Sequence, residues 1–222
     1  MESKKEKIDL TITRKELTRL LIGNLILGVG VAILRVSQMG NDPFSAMNMA
    51  FSYLLNIPLG TLQMSVNGVL FLVQWRYGKK YIGSGTLISM LIAGYIVQYS
   101  IPIVELFIGE EGSHSFPIQL LIMVVAIIIL SIGLACYQKA SCGIAPFDYL
   151  SLGMTEHFKK PYFLNRMITD GSAFVVALIP WLFLGVDFSV CRIGIGTIFV
   201  VFGLGPFVSI ADRFLISRIF KD

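Results

Sequence analysis

The sequence predicts an all-α integral membrane protein with six transmembrane helices, arranged as two inverted repeats of three helices each. Three observations predict this fold class. Of the 222 residues, 55% are hydrophobic and only 14% are charged, whereas soluble proteins carry roughly 25% charged residues. Six apolar runs are long enough to cross a bilayer, and small residues recur at a fixed offset along the chain. The composition excludes a disulfide-rich secreted domain, a nucleic-acid-binding protein and a disordered chain, because each needs more polar surface.

The predicted membrane domain is a single unit covering residues 20–214. A charged segment at 1–19 precedes it, and a short tail at 215–222 follows it. The six spans are expected at 17–36, 59–75, 82–104, 116–137, 163–185 and 193–214. At 1.5 Å per residue each can cross a hydrocarbon core of about 30 Å, although the second is short and needs anchoring by Trp75 and Tyr77 at the interface.

The distribution of basic residues predicts the orientation. The N-terminus, the second and fourth connections and the tail together hold 16 of the 18 Lys and Arg residues. The other side holds Arg35 and Arg192, and Glu105, Glu110 and Glu111 make its third connection acidic. Because Lys and Arg collect on the cytoplasmic side, both termini are expected in the cytoplasm.

An internal repeat is the most informative pattern in the sequence. Pairs at an offset of 103 include Gly30 with Gly133, Gly40 with Gly143, Pro43 with Pro146 and Phe44 with Phe147. Later pairs at an offset of 111 include Gly83 with Gly194, Gly85 with Gly196 and Thr86 with Thr197. The repeats are 17–104 and 116–214, and chance similarity of apolar helices is the alternative. Three spans per repeat make the second copy inverted, which is typical of secondary transporters that bind substrate between the halves.

Each repeat also carries a Gly-Pro break between its first and second spans. Short helices are expected at 43–55 and 146–158, because proline suits the first turn of a helix and Asp42 can cap the first one. Asp148 lies two residues inside the second helix. One interpretation is a pair of discontinuous helices whose N-termini face an anion. The other is a pair of connectors that lie on the membrane surface.

These motifs resemble those of the YczE/YyaS/YitT group of bacterial multispan membrane proteins. Each half of that group carries a motif like G-x-G-P-W-D after the first span and G-x-G-T later. The first motif stands here as Gly40-Asn41-Asp42-Pro43-Phe44-Ser45 and Gly143-Ile144-Ala145-Pro146-Phe147-Asp148, and the second at residues 83–86 and 194–197. The resemblance covers residues 20–213 and implies a transporter-like protein of the bacterial cytoplasmic membrane, without naming a substrate. Ser45 replaces the first-half Asp, so only Asp148 can inherit a role of that carboxylate.

Polar residues inside the predicted spans point to a binding site, because an intramembrane charge is costly and marks function or pairing. Asp170 lies in the fifth span, and Asn67 is its counterpart at the offset of 103. Arg166 precedes Asp170 by four residues on the same helix face. In a coupled carrier Asp170 is the titrating carboxylate, and Arg166 or Arg35 holds an anionic substrate. Alternatively, Arg166 and Asp170 only neutralise each other, and Arg35 only reaches the interface.

Motifs of enzymes and metal sites are absent from the sequence. There is no nucleotide-binding G-x-x-x-x-G-K-[ST] loop, no zinc-binding H-E-x-x-H and no G-x-S-x-G. His114 and His157 have no ligand neighbours in sequence, and the three cysteines predict no disulfide. We therefore expect neither an enzyme nor a bound metal or cofactor.

The resulting hypothesis is a secondary transporter or permease for a small anionic or amphipathic solute, coupled to protons or ions, in the cytoplasmic membrane. Its predicted substrate-binding residues are Arg35, Asp42, Pro43, Phe44, Gln63, Asn67, Pro146, Phe147, Asp148, Arg166 and Asp170. Two alternatives stay open. The chain can be the substrate-binding membrane subunit of an ATPase-energised importer, or an accessory protein that transports nothing.

Overall fold

A computed structural model describes residues 10–109, 113–191 and 193–216. Within these residues the chain is helical and contains no β-strand. The helices are α1 (Arg14–Val36), α2 (Pro43–Leu55), α3 (Leu59–Tyr77), α4 (Ser84–Ile108), α5 (Phe116–Gln138), α6 (Pro146–Phe158), α7 (Tyr162–Ala177), α8 (Ile179–Leu184), α9 (Phe188–Cys191) and α10 (Ile195–Ala211). The predicted all-helical class is confirmed. Residues 1–9, most of the tail, Glu110, Glu111 and Arg192 lie outside the described residues.

Five helical segments among the described residues are long and apolar enough to cross a membrane. They are Arg14–Val36, Ser84–Ile108, Phe116–Gln138, Tyr162–Leu184 and Ile195–Phe214. The predicted span at 59–75 is not one of these five segments. α3 is long and apolar enough to cross a membrane only when α2 is counted with it, and the chain bends by 114° between these two helices. Three polar residues of α3, Gln63, Asn67 and Gln74, are buried and reduce its apolar character. The chain is thus a multi-pass membrane protein with five such segments, or six if the bent pair counts as one.

The short helices α2 and α6 begin and end at the predicted residues. The Asp42 side chain caps α2 by accepting a hydrogen bond of 3.0 Å from the Ser45 amide. Pro43 and Pro146 occupy the first turns, where a missing N–H removes no hydrogen bond. Asn56 and Lys159 adopt left-handed conformations with φ of 53° and end the two helices. Proline in the first turn and a left-handed residue after the last turn therefore mark both helices, and α2 alone also has a side-chain cap.

The fifth predicted span is interrupted once. α7 ends at Ala177 and α8 continues from Ile179, so the segment Tyr162–Leu184 remains long enough to cross. The break has a simple cause, because Pro180 has no N–H for the carbonyl four residues earlier. The segment is bent at this point and not terminated.

The core lies where α1 packs antiparallel against α5. The first contact places Gly23 against Tyr137, and the next ones place Gly133 against Leu27 and Gly30 against Leu130. A Cβ atom at Gly30 would lie 2.8 Å from the Leu130 amide nitrogen, and one at Gly133 would lie 2.4 Å from that of Leu27. Such close backbone approach is how helices pack tightly in lipid, where apolar burial alone gives little drive. This helix pair, with one helix from each half, forms the closely packed centre of the molecule.

Candidate functional site

Two glycine loops lead the chain from α1 and α5 into the short helices. Gly40 and Gly143 have φ of 108° and 114°, a conformation that residues with a Cβ rarely adopt. The loop before α2 contacts the start of α10, where the Gly196 amide donates to the Met39 carbonyl at 2.5 Å. The loop before α6 contacts the start of α4, where the Gly85 amide donates to the Cys142 carbonyl at 2.7 Å. Each loop is therefore fixed by the G-x-G-T segment of the opposite half.

The N-termini of α2 and α6 meet at a pair of stacked aromatic rings. The ring centroids of Phe44 and Phe147 lie 4.1 Å apart with an interplanar angle of 19°. Both side chains are buried, and the Arg166 guanidinium lies 5.5 Å from the centre of the Phe147 ring. Offset stacking and the cation–π contact stabilise this arrangement by about 1 kcal/mol each. The two helix starts and Arg166 are thus held as one unit.

A small cavity of about 60 Å³ lies beside this unit. Its polar lining comes from both halves of the chain and consists of Asn24, Asp42, Ser45, Gln63, Asn67, Tyr137, Asp148 and Arg166. A water molecule needs roughly 10–15 Å³ of such space. The cavity in this conformation can therefore hold an ion with a few waters, but no organic solute of appreciable size.

Arg166 is the centre of a buried ion-pair network. Its Nη1 atom lies 2.5 Å from Asp148 Oδ1, and its Nε lies 2.9 Å from Asp170 Oδ2. The Tyr137 hydroxyl donates a hydrogen bond to the other oxygen of Asp148. Arg166 is 5% exposed and Asp170 is 1% exposed, so these charges are well removed from water. A single guanidinium is therefore shared by two carboxylates.

Several buried oxygens near this network have no hydrogen-bond partner among the described residues. They are Asp42 Oδ2, Asn48 Oδ1, Gln63 Oε1, Asn67 Oδ1 and Asp170 Oδ1. Buried polar atoms in native proteins are nearly always paired with protein, water or a ligand. Three of these residues line the cavity. A ligand that pairs with their oxygens must therefore supply hydrogen-bond donors or positive charge.

Most of the predicted binding residues come together in this region. Asp42, Phe44, Gln63, Asn67, Phe147, Asp148 and Arg166 line the cavity. Asp170 lies behind Arg166 and reaches the site through their ion pair. Pro43 and Pro146 are buried at the helix starts but are not among the lining residues. The structure thus brings the starts of the two short helices, α2 and α6, together with the polar residues of α3 and α7.

Arg35 is not brought to the cavity, although it lies on the same face of α1 as lining residues. The cavity contacts α1 at Asn24, Leu27 and Val31. Arg35 follows Val31 by one turn, about 6 Å further along the helix axis, and is half-buried there. A substrate in this cavity would meet Arg166 and not Arg35.

Three polar lining residues, Asn24, Ser45 and Tyr137, are absent from the predicted set. Tyr137 is separated from Asp148 by a loop and a helix start, and no local pattern shows that their side chains meet. Asn24 interrupts the apolar first span and hydrogen bonds to Ser89 at 3.0 Å. The rule that intramembrane polar residues face the interior of the protein could have identified Asn24.

Comparisons with known proteins place the chain in a wider group. The model of a family of unknown function, DUF6198, matches residues 14–213. YyaS of Bacillus subtilis (strain 168), an uncharacterized protein, is 24% identical over 201 residues, which cover 89% of this chain and 94% of YyaS. An uncharacterized protein of Haemophilus influenzae is 22% identical over 203 residues, covering 89% of this chain and 84% of its own length. No solved structure matches significantly.

Proposed function

We propose that this chain, which belongs to the DUF6198 family and is a relative of YyaS, is a secondary transporter of a small solute. Transport proceeds by alternating access between the halves 17–104 and 116–214, which act as inverted repeats. The observation that carries the proposal is the polar cavity between the halves, at the point where two short helices begin. Transporters with inverted repeats bind substrate at such a place, beside the N-termini of discontinuous helices.

Contacts in matching pairs support the inverted arrangement of the halves. Gly30 packs on Leu130, and the contact between Leu27 and Gly133 follows from it when each partner is shifted by 103 residues. The two loop contacts at the starts of α4 and α10 are likewise counterparts of each other. Two halves with equivalent contacts can exchange conformations at little difference in free energy, which is what alternating access requires.

The ion-pair network supplies a reason for coupling. Arg166 pairs with Asp148 and Asp170 at once in this structure, and Asp170 can bind a proton in a conformation in which Arg166 keeps only Asp148. Of the cavity residues, Asn67 and Gln63 on α3 and Arg166 on α7 belong to different halves. Relative motion of α3 and α7 therefore changes the environment of the charged groups.

Cysteine accessibility tests alternating access directly. In a variant whose three native cysteines are replaced by serine, Ser45→Cys places a thiol in the cavity, while Ala126→Cys is a buried control outside it. A membrane-impermeant thiol reagent should modify Ser45→Cys in both right-side-out and inside-out vesicles, and Ala126→Cys in neither. Modification from one side only would favour a binding subunit, and modification from neither side would favour an accessory protein.

Reconstitution tests coupling. Liposomes containing the protein and a trapped pH-sensitive dye should show proton movement that depends on an added solute gradient. Asp170→Asn should abolish it, whereas Asp187→Asn, an exposed acid outside the spans, should not. Equal proton movement with Asp170→Asn and with the unaltered protein would count against the proposed mechanism.

A further inference from the structure

We propose that the cavity is a binding site for one small monovalent metal cation of the size of Na⁺, with the Asp42 carboxylate as its main ligand. This inference deepens the proposed function and rests on it for its biological role, since the cation would be the coupling ion. Binding itself is a property of the cavity and can be measured without transport.

The ligand atoms are buried oxygens that lack a partner among the described residues. Asp42, Gln63 and Asn67 are 9%, 6% and 3% exposed, and all three line the cavity. Each has one side-chain oxygen without a hydrogen-bond donor, namely Asp42 Oδ2, Gln63 Oε1 and Asn67 Oδ1. Carboxylate and amide oxygens, completed by water, are the ligands that hard cations take. The volume of about 60 Å³ suits one ion with a few waters.

The balance of charge in the site also favours a cation. Asp148 and Asp170 pair with Arg166, and Asp42 lines the same cavity as Asp148 and Arg166. With all four groups ionised the cluster carries two net negative charges. The N-termini of α2 and α6 each contribute roughly half a positive charge. One negative charge is left, and one monovalent cation neutralises it.

The number of unpaired oxygens favours a metal ion over a bound proton. One proton on Asp42 can satisfy at most one of the other two oxygens, whereas an ion has several coordination positions to offer to the oxygens that line the cavity. Since the site offers only one carboxylate that is not paired with Arg166, it suits a monovalent ion and not a divalent one.

Thermal unfolding of the purified protein in detergent tests this site. The midpoint temperature is measured against NaCl concentration, with choline chloride keeping the ionic strength constant. Saturable stabilisation by Na⁺ is expected, because an ion that binds only the folded state raises its stability. Asp42→Asn should abolish the dependence on Na⁺, and it should still fold because asparagine caps helices as well as aspartate does. Asp187→Asn is the control and should retain the dependence.

Equilibrium binding of radiolabelled Na⁺ provides a second measurement. Asn67→Ala removes one amide oxygen and should weaken binding by about tenfold or more, the effect seen when metal-site partners are removed. This variant keeps the test decisive if Asp42→Asn is unstable. Binding that both variants retain would overturn the proposal.

Three other outcomes also contradict the proposal. Equal stabilisation by NaCl, KCl and choline chloride would be a general salt effect. Stabilisation on acidification alone, without Na⁺ dependence, would make Asp42 a proton carrier. Absence of Na⁺ binding in a protein that still transports would overturn this inference only. Conversely, Na⁺ binding in a protein whose Ser45→Cys variant is modified from neither side would leave the site standing and remove the transport function.

Discussion

Arg166 is the residue on which the buried charges of the site depend. It pairs with Asp148 and Asp170 and lies over the Phe147 ring, so it contacts both α6 and its own helix. Removing one partner of a buried ion pair destabilises a protein by about 3–5 kcal/mol, because the other charge stays desolvated. Asp148 and Asp170 can therefore carry their charges inside the membrane domain only while Arg166 remains with them.

Replacing Gly143 by alanine is expected to destabilise the protein. Gly143 has φ of 114°, and a Cβ atom there would lie 2.5 Å from Thr86 Oγ1. Gly143→Ala should destabilise the protein by about 1–3 kcal/mol through backbone strain alone, with the steric contact adding to this. The measurement is the thermal midpoint in detergent. Gly171→Ala, in the interior of α7, is the matched control. A Cβ atom at Gly171 would meet no atom within 4 Å outside its own stretch of helix, so alanine should stabilise the protein by roughly 0.5–1 kcal/mol. Similar midpoints for both variants would contradict the packing assigned to Gly143.

At the scale of elements, the short helices do more than connect spans. α2 and α6 bring the stacked phenylalanines, Asp42 and Asp148 to one place, while α3 and α7 supply the polar residues opposite them. Both short helices end in a left-handed residue after 13 residues. Their length is thus set by local sequence signals.

The end of α6 is fixed by a contact with a predicted pH dependence. Glu156 forms an ion pair with Lys80, and the Lys80 hydrogen bond lowers the pKa of Glu156 below its ordinary value of 4.5. A carboxylate whose pKa is lowered in the folded state stabilises at neutral pH, and this is lost as the pH falls through the lowered pKa. Glu156→Gln should therefore reduce stability at pH 7, by about 0.2–1 kcal/mol because both side chains are half exposed.

Unfolding midpoints of Glu156→Gln and the unaltered protein, compared from pH 7 down to about pH 3, test this dependence. The two curves should converge in acid. A difference that stays constant across the range would show that the carboxylate charge is not responsible.

For the whole molecule, the basic residues predict its orientation in the membrane. With 16 of the 18 Lys and Arg residues assigned to one side, both termini should be cytoplasmic. A reporter enzyme active only in the cytoplasm should work when fused to the C-terminus, and one active only outside should not. Replacing Arg76, Lys79 and Lys80 by glutamine should weaken this preference, whereas changing Arg35 should not. Activity of the external reporter at the C-terminus would refute the orientation.

Much of this architecture is predictable because membrane helices follow local rules. The long apolar runs identify five of the six predicted spans, and Asp42 with Pro43 identifies the start of α2 to the residue. The alternative in which Arg166 and Asp170 neutralise each other agrees with the observed pair, but Asp148 as a third partner does not follow from helix periodicity.

Other features depend on the angles between neighbouring helices, which periodicity does not give. The 114° bend between α2 and α3 and the hydrogen bond from Tyr137 on α5 to Asp148 on α6 each depend on how the chain turns between consecutive helices. The same holds for Arg35, because whether a residue reaches the cavity depends on where along α1 the cavity ends.

The antiparallel contact of α1 with α5 has a consequence for how the protein is made. Gly30 and Leu130 touch, yet 100 residues separate them in the chain. At about 5–20 residues per second, translation takes roughly 5–20 s to deliver α5 after α1 has left the ribosome. During that interval the glycine face of α1 must reside in the translocon or in lipid, and the loop before α2 has no α10 to contact. Completion of the centre of the molecule therefore waits for synthesis of the second half.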